Sequence, residues 1–160
     1  MQSKVRPHKR RLLFLLLLAI CFPASLFGAN CSISDISIAF GGYDPVSPQT
    51  RDSSTTVQVT CSGSSETVTF DLLASAGMGT FSDRQASNTK SMLHYNLFLD
   101  ASRTQIWGDG SNGTIILHDS LTITSTPVTK DYVIYGRIVA RQQTATAGNY
   151  TDQITMTMRY

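Results

Sequence analysis

Ile154-Thr155-Met156-Thr157-Met158-Arg159-Tyr160 alternates apolar and polar side chains without a break. A period of two puts Ile154, Met156, Met158 and Tyr160 on one face of a β-strand and Thr155, Thr157 and Arg159 on the other. No proline or bulge signal interrupts the strand, the apolar face carries no charge, and no return strand follows. Its outer edge is therefore expected to lack a partner, a state that ordinary proteins avoid because it invites association. Either another local strand covers that edge or another chain does.

The same alternation recurs upstream. Ile36, Ile38 and Phe40 alternate with Ser37 and Ala39 in an expected first strand. Val57 and Val59 mark a second approaching Cys61, Val68, Phe70 and Leu72 a third, and Leu93, Tyr95, Leu97 and Leu99 a fourth. Leu121 and Ile123 form a short strand ended by Pro127, after which Tyr132, Ile134, Gly136 and Ile138 face opposite to Val133, Tyr135 and Val139. Gly77, Gly79 and the polar run Ser82 to Ser91 separate the third and fourth strands. Gly108 to Gly113, a run of turn formers between Trp107 and Thr114, reads as the turn of a hairpin. From Asn30 onward no stretch holds apolar residues at 3.6 spacing over a dozen positions. Seven or so strands predict an all-β domain folded as a two-sheet sandwich.

The 160 residues suffice for one domain. Lys4, Arg6, Lys9, Arg10 and Arg11 precede the apolar run Leu12 to Phe22, and Pro23 and small residues around Ala24, Ser25, Gly28 and Ala29 close it. The pattern predicts a secretory signal peptide over residues 1–29 and a domain over 30–160. The apolar run is too short for a span of ~20 residues, so no stable membrane insertion is expected. Of thirteen basic and eleven acidic residues, cleavage removes five basic and no acidic ones, leaving eight against eleven, a net charge of −3. That balance excludes a nucleic-acid binder, whose phosphate affinity needs clustered Lys and Arg. Cys21 leaves with the signal. Cys31 and Cys61 remain as an even pair in an exported chain, where a disulfide forms and persists.

Chemistry is sparsely signalled. His94 lies on a strand between Leu93 and Tyr95, His118-Asp119 reads as a turn, and no free Cys remains to pair with either histidine. Asp109 to Gly113 resembles the start of a calcium loop, but the position where a bidentate Glu belongs holds Ser120. The expectation is no enzyme, no metal and no cofactor.

Several segments together resemble the spore coat protein U domain family, which includes the pilins of archaic, Csu-type chaperone-usher pili. They are Cys31 on to Phe40-Gly41-Gly42-Tyr43-Asp44-Pro45, Val57-Gln58-Val59-Thr60-Cys61, Leu93 to Asp100 with Arg103-Thr104 and Trp107-Gly108-Asp109-Gly110, Tyr135-Gly136-Arg137-Ile138, and Gly148 to Asp152 leading into the final strand. The resemblance implies an immunoglobulin-like sandwich lacking its seventh strand, held by a periplasmic pilus chaperone, passed to an outer-membrane usher, and completed by a strand from a neighbouring pilin. It places the protein on the surface of a Gram-negative bacterium or in an extracellular fibre. The open groove is expected between Ile36, Ile38 and Phe40 on one rim and Ile154, Met156, Met158 and Tyr160 on the other.

The sequence departs from shaft subunits of this type in one respect. Cleavage at Ala29 leaves one residue before Cys31, and cleavage at Ala24 leaves six, ~20 Å when extended. Such a chain is expected to accept a strand but not to donate one, which would end a head-to-tail polymer. The expectation is a tip or minor subunit with a candidate adhesive role, with the loops Gly41 to Gln49 and Ala76 to Asp83 as contact surfaces through Tyr43, Met78 and Phe81. The alternative is a self-contained secreted binding sandwich or a coat protein that never exchanges strands.

Overall fold

The computed structural model describes residues 28–160. The expected signal segment up to Phe27, with Cys21, lies outside the described residues. Among the described residues there is no helix and there are eight strands: β1 (Asn30–Ile33), β2 (Arg51–Ser62), β3 (Thr67–Ala74), β4 (Arg84–Ser87), β5 (Met92–Phe98), β6 (Leu117–Thr122), β7 (Val128–Ile138) and β8 (Met156–Arg159). They form a five-stranded sheet in the order β1-β2-β7-β5-β4 and a three-stranded sheet in the order β6-β3-β8, with every pairing antiparallel.

The alternating residues build the core between the sheets. Val57, Leu72, Leu93, Tyr95, Leu97, Trp107, Ile134 and Ile138 form one buried cluster, and Val59, Phe70, Leu121 and Ile123 form a second around the disulfide. The Cys31–Cys61 bridge joins directly opposed residues of β1 and β2. The Trp107 indole N–H, wholly buried, donates to the Leu72 carbonyl at 3.0 Å, so this large side chain fills the core without orphaning its donor.

Four local expectations are corrected. The first strand is β1, and the alternating residues Ile36 to Phe40 belong to an extended segment outside both sheets. Backbone carbonyls there are taken by side chains of β2 instead of by a ladder. The polar run Ser82 to Ser91 contains β4, which pairs with β5 from Arg84↔Tyr95 to Ser87↔Met92. His118-Asp119 lies within β6, because His118 is held opposite Asp71 of β3 rather than turning. The run Gly108 to Gly113 does not close a hairpin: Trp107 and Ile115 meet in a single parallel bridge, with Ile115 N–H bonded to the Ile106 carbonyl at 2.8 Å. Thr114 Oγ1 accepts from Gly110 N–H and donates to the Ser111 carbonyl, curling the loop on itself.

Register fixes the polarity of the molecule. Residues 63–66 turn β2 into β3 at one end. The opposite end carries Arg51, Ile138, Tyr95 and Ala74 with the loops 41–50, 75–83 and 139–153. Both loops singled out from the sequence therefore lie at the same end.

Candidate functional site

A cleft of about 1300 Å³ opens along one seam of the sandwich. One wall is a strap, residues 34–46, running antiparallel to β2. Ser34 N–H donates to the Gln58 carbonyl at 3.0 Å and Gln58 N–H to Ser34 Oγ at 3.0 Å. Further along, Ser53 Oγ donates to the Ala39 carbonyl and Arg51 Nε to the Phe40 carbonyl, each at 2.7 Å. The other wall is β8 and the residues before it. β8 pairs with β3 alone, so among the described residues its second edge is free. Since β8 runs opposite to β3, strap and β8 are antiparallel to one another across the cleft.

Ile36, Ile38 and Phe40 from the strap and Ile154 and Met156 from the opposite side line this cleft, with Leu93, Tyr95, Leu97, Trp107 and Ile138 from the buried cluster. Five of the seven rim residues expected from the sequence are thus brought together. Met158 instead wedges half-buried between the two core clusters, and Tyr160 is 59% exposed away from the cleft. The strap packs closely because Gly136 of β7 has no side chain. A Cβ there would stand 2.6 Å from both Ile38 Cδ1 and Phe40 Cζ. Phe40 meets the Tyr95 ring edge to face, with centroids 6.0 Å apart.

One end of the cleft is polar. Tyr95 Oη donates to Asp152 Oδ2 at 2.6 Å, while the N–H groups of Met78 and Gln153 donate to Asp152 Oδ1 at 3.0 and 2.8 Å. Burial, with the Asp152 carboxylate beside it, raises the Tyr95 hydroxyl well above the usual phenol range and keeps it a donor. Behind this pair Arg84 is 0% exposed. Its Nη1 donates to Asn96 Oδ1 at 2.6 Å and its Nη2 to the carbonyls of Ser75 and Trp107 at 2.9 and 2.7 Å, tying the two sheets together. Burial lowers the Arg84 pKa, yet a guanidinium remains charged at any ordinary pH. Sequence reasoning missed Arg84, Asn96 and Asp152. Only the β-branched and aromatic alternation was legible there, and a buried arginine in a polar run leaves no periodic trace.

The candidate contact residues fare differently. Tyr43 is turned inward, its hydroxyl donating to the Val139 carbonyl at 2.8 Å and accepting from Gln142 N–H at 3.1 Å. Phe81 lies over the Arg84 guanidinium at 5.6 Å, and its carbonyl accepts from Asn96 Nδ2. Met78 is 42% exposed.

The two described histidines make hydrogen-bond contacts with carboxylates outside the cleft, His94 Nδ1 with Asp83 at 2.7 Å and His118 Nδ1 with Asp71 at 2.6 Å. Among the described residues no three His, Cys, Asp or Glu side chains gather as a metal site, and Asp109 is occupied with Ser111. No described helix is long and apolar enough to cross a membrane.

Two antiparallel sheets around a common core, with an apolar cleft along one seam, define an immunoglobulin-like β-sandwich. The chain belongs to the Spore Coat Protein U domain family, which it matches over residues 21–157. No curated protein matches it. In fold it is similar to a chain of the crystal structure of the chaperone–tip adhesion subunit pre-assembly complex from the archaic chaperone-usher Csu pili of Acinetobacter baumannii, with a TM-score of 0.58 at 19% identity. The similarity covers 82% of this chain and 40% of that one, so the chain spans about two fifths of the length of its structural relative.

Proposed function

We propose that this chain is a structural subunit of a chaperone-usher surface fibre and that its cleft accepts an extended strand. The observation that carries this reading is the pairing of a free β8 edge with a strap outside both sheets, on either side of an apolar cleft. An inserted strand gains main-chain hydrogen bonds from the free edge and seats alternate side chains among Ile36, Ile38, Ile154 and Met156, the mode of β-strand addition. Family membership and the likeness to a chaperone–subunit complex support a periplasmic chaperone, a neighbouring pilin and an outer-membrane usher as partners, with export to the cell surface as destination. The role is structural rather than enzymatic, and it needs no cofactor.

Placement at the fibre tip, with an adhesive role for the loop end, belongs to the same reading. Of its three expected contact residues, only Met78 has its side chain largely free for contact, as Tyr43 and Phe81 are engaged internally.

The test is periplasmic expression with and without a co-expressed chaperone of this pilus class. The chain alone is expected to aggregate or be degraded, and chaperone or a strand peptide to rescue it. Met156→Asp puts an unpaired charge into the cleft and should abolish capture. A monodisperse chain with a high unfolding midpoint, indifferent to strand peptides, overturns the reading in favour of a self-contained sandwich. The tip placement is tested separately, by sequencing the mature N-terminus and by end-labelling of fibres. A mature leader of ten or more residues before Cys31, or label along the shaft, removes it.

A further inference from the structure

The cleft is not uniform along its length. Over most of it Ile36, Ile38, Leu97, Trp107, Ile154 and Met156 present hydrocarbon. At the end level with Phe40 and Tyr43 it meets the Asp152 carboxylate, held by Tyr95 from the core and by Met78 N–H from the loop. A carboxylate has about four lone-pair positions, and three donors from the chain reach this one, Tyr95 Oη, Met78 N–H and Gln153 N–H. Asp152 is only partly buried, so water completes its shell while the cleft is open. A strand laid over it strips that water. Arg84 makes no hydrogen bond to Asp152: its Nη1 and Nη2 are taken by Asn96, Ser75 and Trp107, and its Nε is buried without a partner.

We propose that the strand filling this cleft carries aliphatic side chains at its inward positions except one, and that the exception is a hydrogen-bond-donating polar side chain seated against Asp152. Asp152, oriented by Tyr95, then sets the register of the incoming strand. A slip of one residue turns every inward side chain outward. A slip of two leaves the polar group against Ile154 and an aliphatic group against the carboxylate, so both mismatches act together. The inference rests on reading the cleft as a strand acceptor and adds the chemistry of the strand.

A polar scan tests it. The full mature chain is refolded with twelve-residue peptides of alternating Val and Ser, in which a single Gln replaces Val at each inward position in turn, and binding is followed by competition with a labelled all-Val peptide. One inward position should gain about tenfold in affinity from Gln, and the others should lose about as much. Asp152→Ala should erase the gain at that one position and leave the losses elsewhere. Asp152→Asn, which keeps the shape of the side chain but only one of its two acceptor oxygens, serves if the alanine variant does not fold and should retain a reduced gain for Gln. If the peptides bind and Gln weakens all of them at every position, the register proposal is wrong while the acceptor reading stands. If no peptide binds the unaltered chain, the acceptor reading fails and this inference falls with it.

Discussion

Arg84 closes the loop-bearing end of the sandwich. Its guanidinium bonds three oxygens, two of them buried, that belong to β5, to the residue after β3 and to the loop before Gly108. Arg84→Met removes the donor to the Ser75 and Trp107 carbonyls and leaves Asn96 Oδ1 with Leu97 N–H alone, at about 1–3 kcal/mol for each acceptor left unpaired that water cannot reach. A loss of about 3 kcal/mol or more is expected in urea unfolding of the strand-complemented subunit. Arg84→Lys should recover less than half of that, since an ammonium cannot span the same fork. Gly77 is a second such position. Its φ is +65°, and a Cβ would run into the Asp152 carboxylate and Ile154. Gly77→Ala should loosen the Met78 loop, read as faster amide exchange of Met78 and Gln153. Neither role was legible in the sequence: Arg84 fell within the polar run Ser82 to Ser91, and Gly77 counted only as part of the separator between two strands. The inward residues of β2, β3, β5 and β7 were legible, because a strand buried on one face must alternate.

The strap shows where element-level reading stops. Exposure alternates along Ile36-Ser37-Ile38-Ala39-Phe40 as the sequence predicts, so the inward face is right. Period two reports which way side chains point but says nothing of whether the backbone finds a ladder. Here Ser53 and Arg51 take the Ala39 and Phe40 carbonyls, and the segment stays out of the sheet. β4 went unseen for the complementary reason, as four residues offer too short a window for a periodic signal. Since the strap depends on the bare surface at Gly136, Gly136→Val should displace Ile38 and Phe40 at a cost of about 1–3 kcal/mol. Limited proteolysis within residues 34–46 checks this, and chaperone or peptide capture should fall in parallel. The disulfide was legible from cysteine count and compartment alone. Replacing Cys31 and Cys61 by Ser should cost about 3–4 kcal/mol in the chain-entropy picture, for a sequence separation of 30.

On the scale of the whole molecule, several carboxyls are tuned in one direction. Asp52 is held below the usual range by its bonds to Arg137 at 2.7 and 2.8 Å, Asp119 by Lys130, Asp100 by Ser102 and the loop that follows it, and Asp109 by Ser111. A carboxyl whose folded pKa is depressed contributes stability that is present above its unfolded pKa of ~3.9 and is lost as pH falls through the folded value. The unfolding midpoint should therefore decline on acidification below about pH 4. Asp52→Asn should flatten part of that decline, by at most about 1 kcal/mol because the pair is substantially exposed. Two sheets and the inward faces of their strands followed from alternation, and the facing of the two rims followed from the family resemblance. The polar end of the cleft did not, since Asp152 is 57 residues from Tyr95 and Arg84 sits in a strand too short to show a period, so the three meet only in the fold.

The bridge between β1 and β2 also decides how the molecule would answer traction. A pull arriving from the N-terminal side reaches Cys31 and crosses the sulfurs into β2, bypassing the short β1 ladder and the strap altogether. β2 is bound to β7 through eleven consecutive pairs, from Arg51↔Ile138 to Cys61↔Val128. Loaded at Cys61 and released at Ile138, at opposite ends of that ladder, the pairs would yield together in shear rather than one by one like a zip.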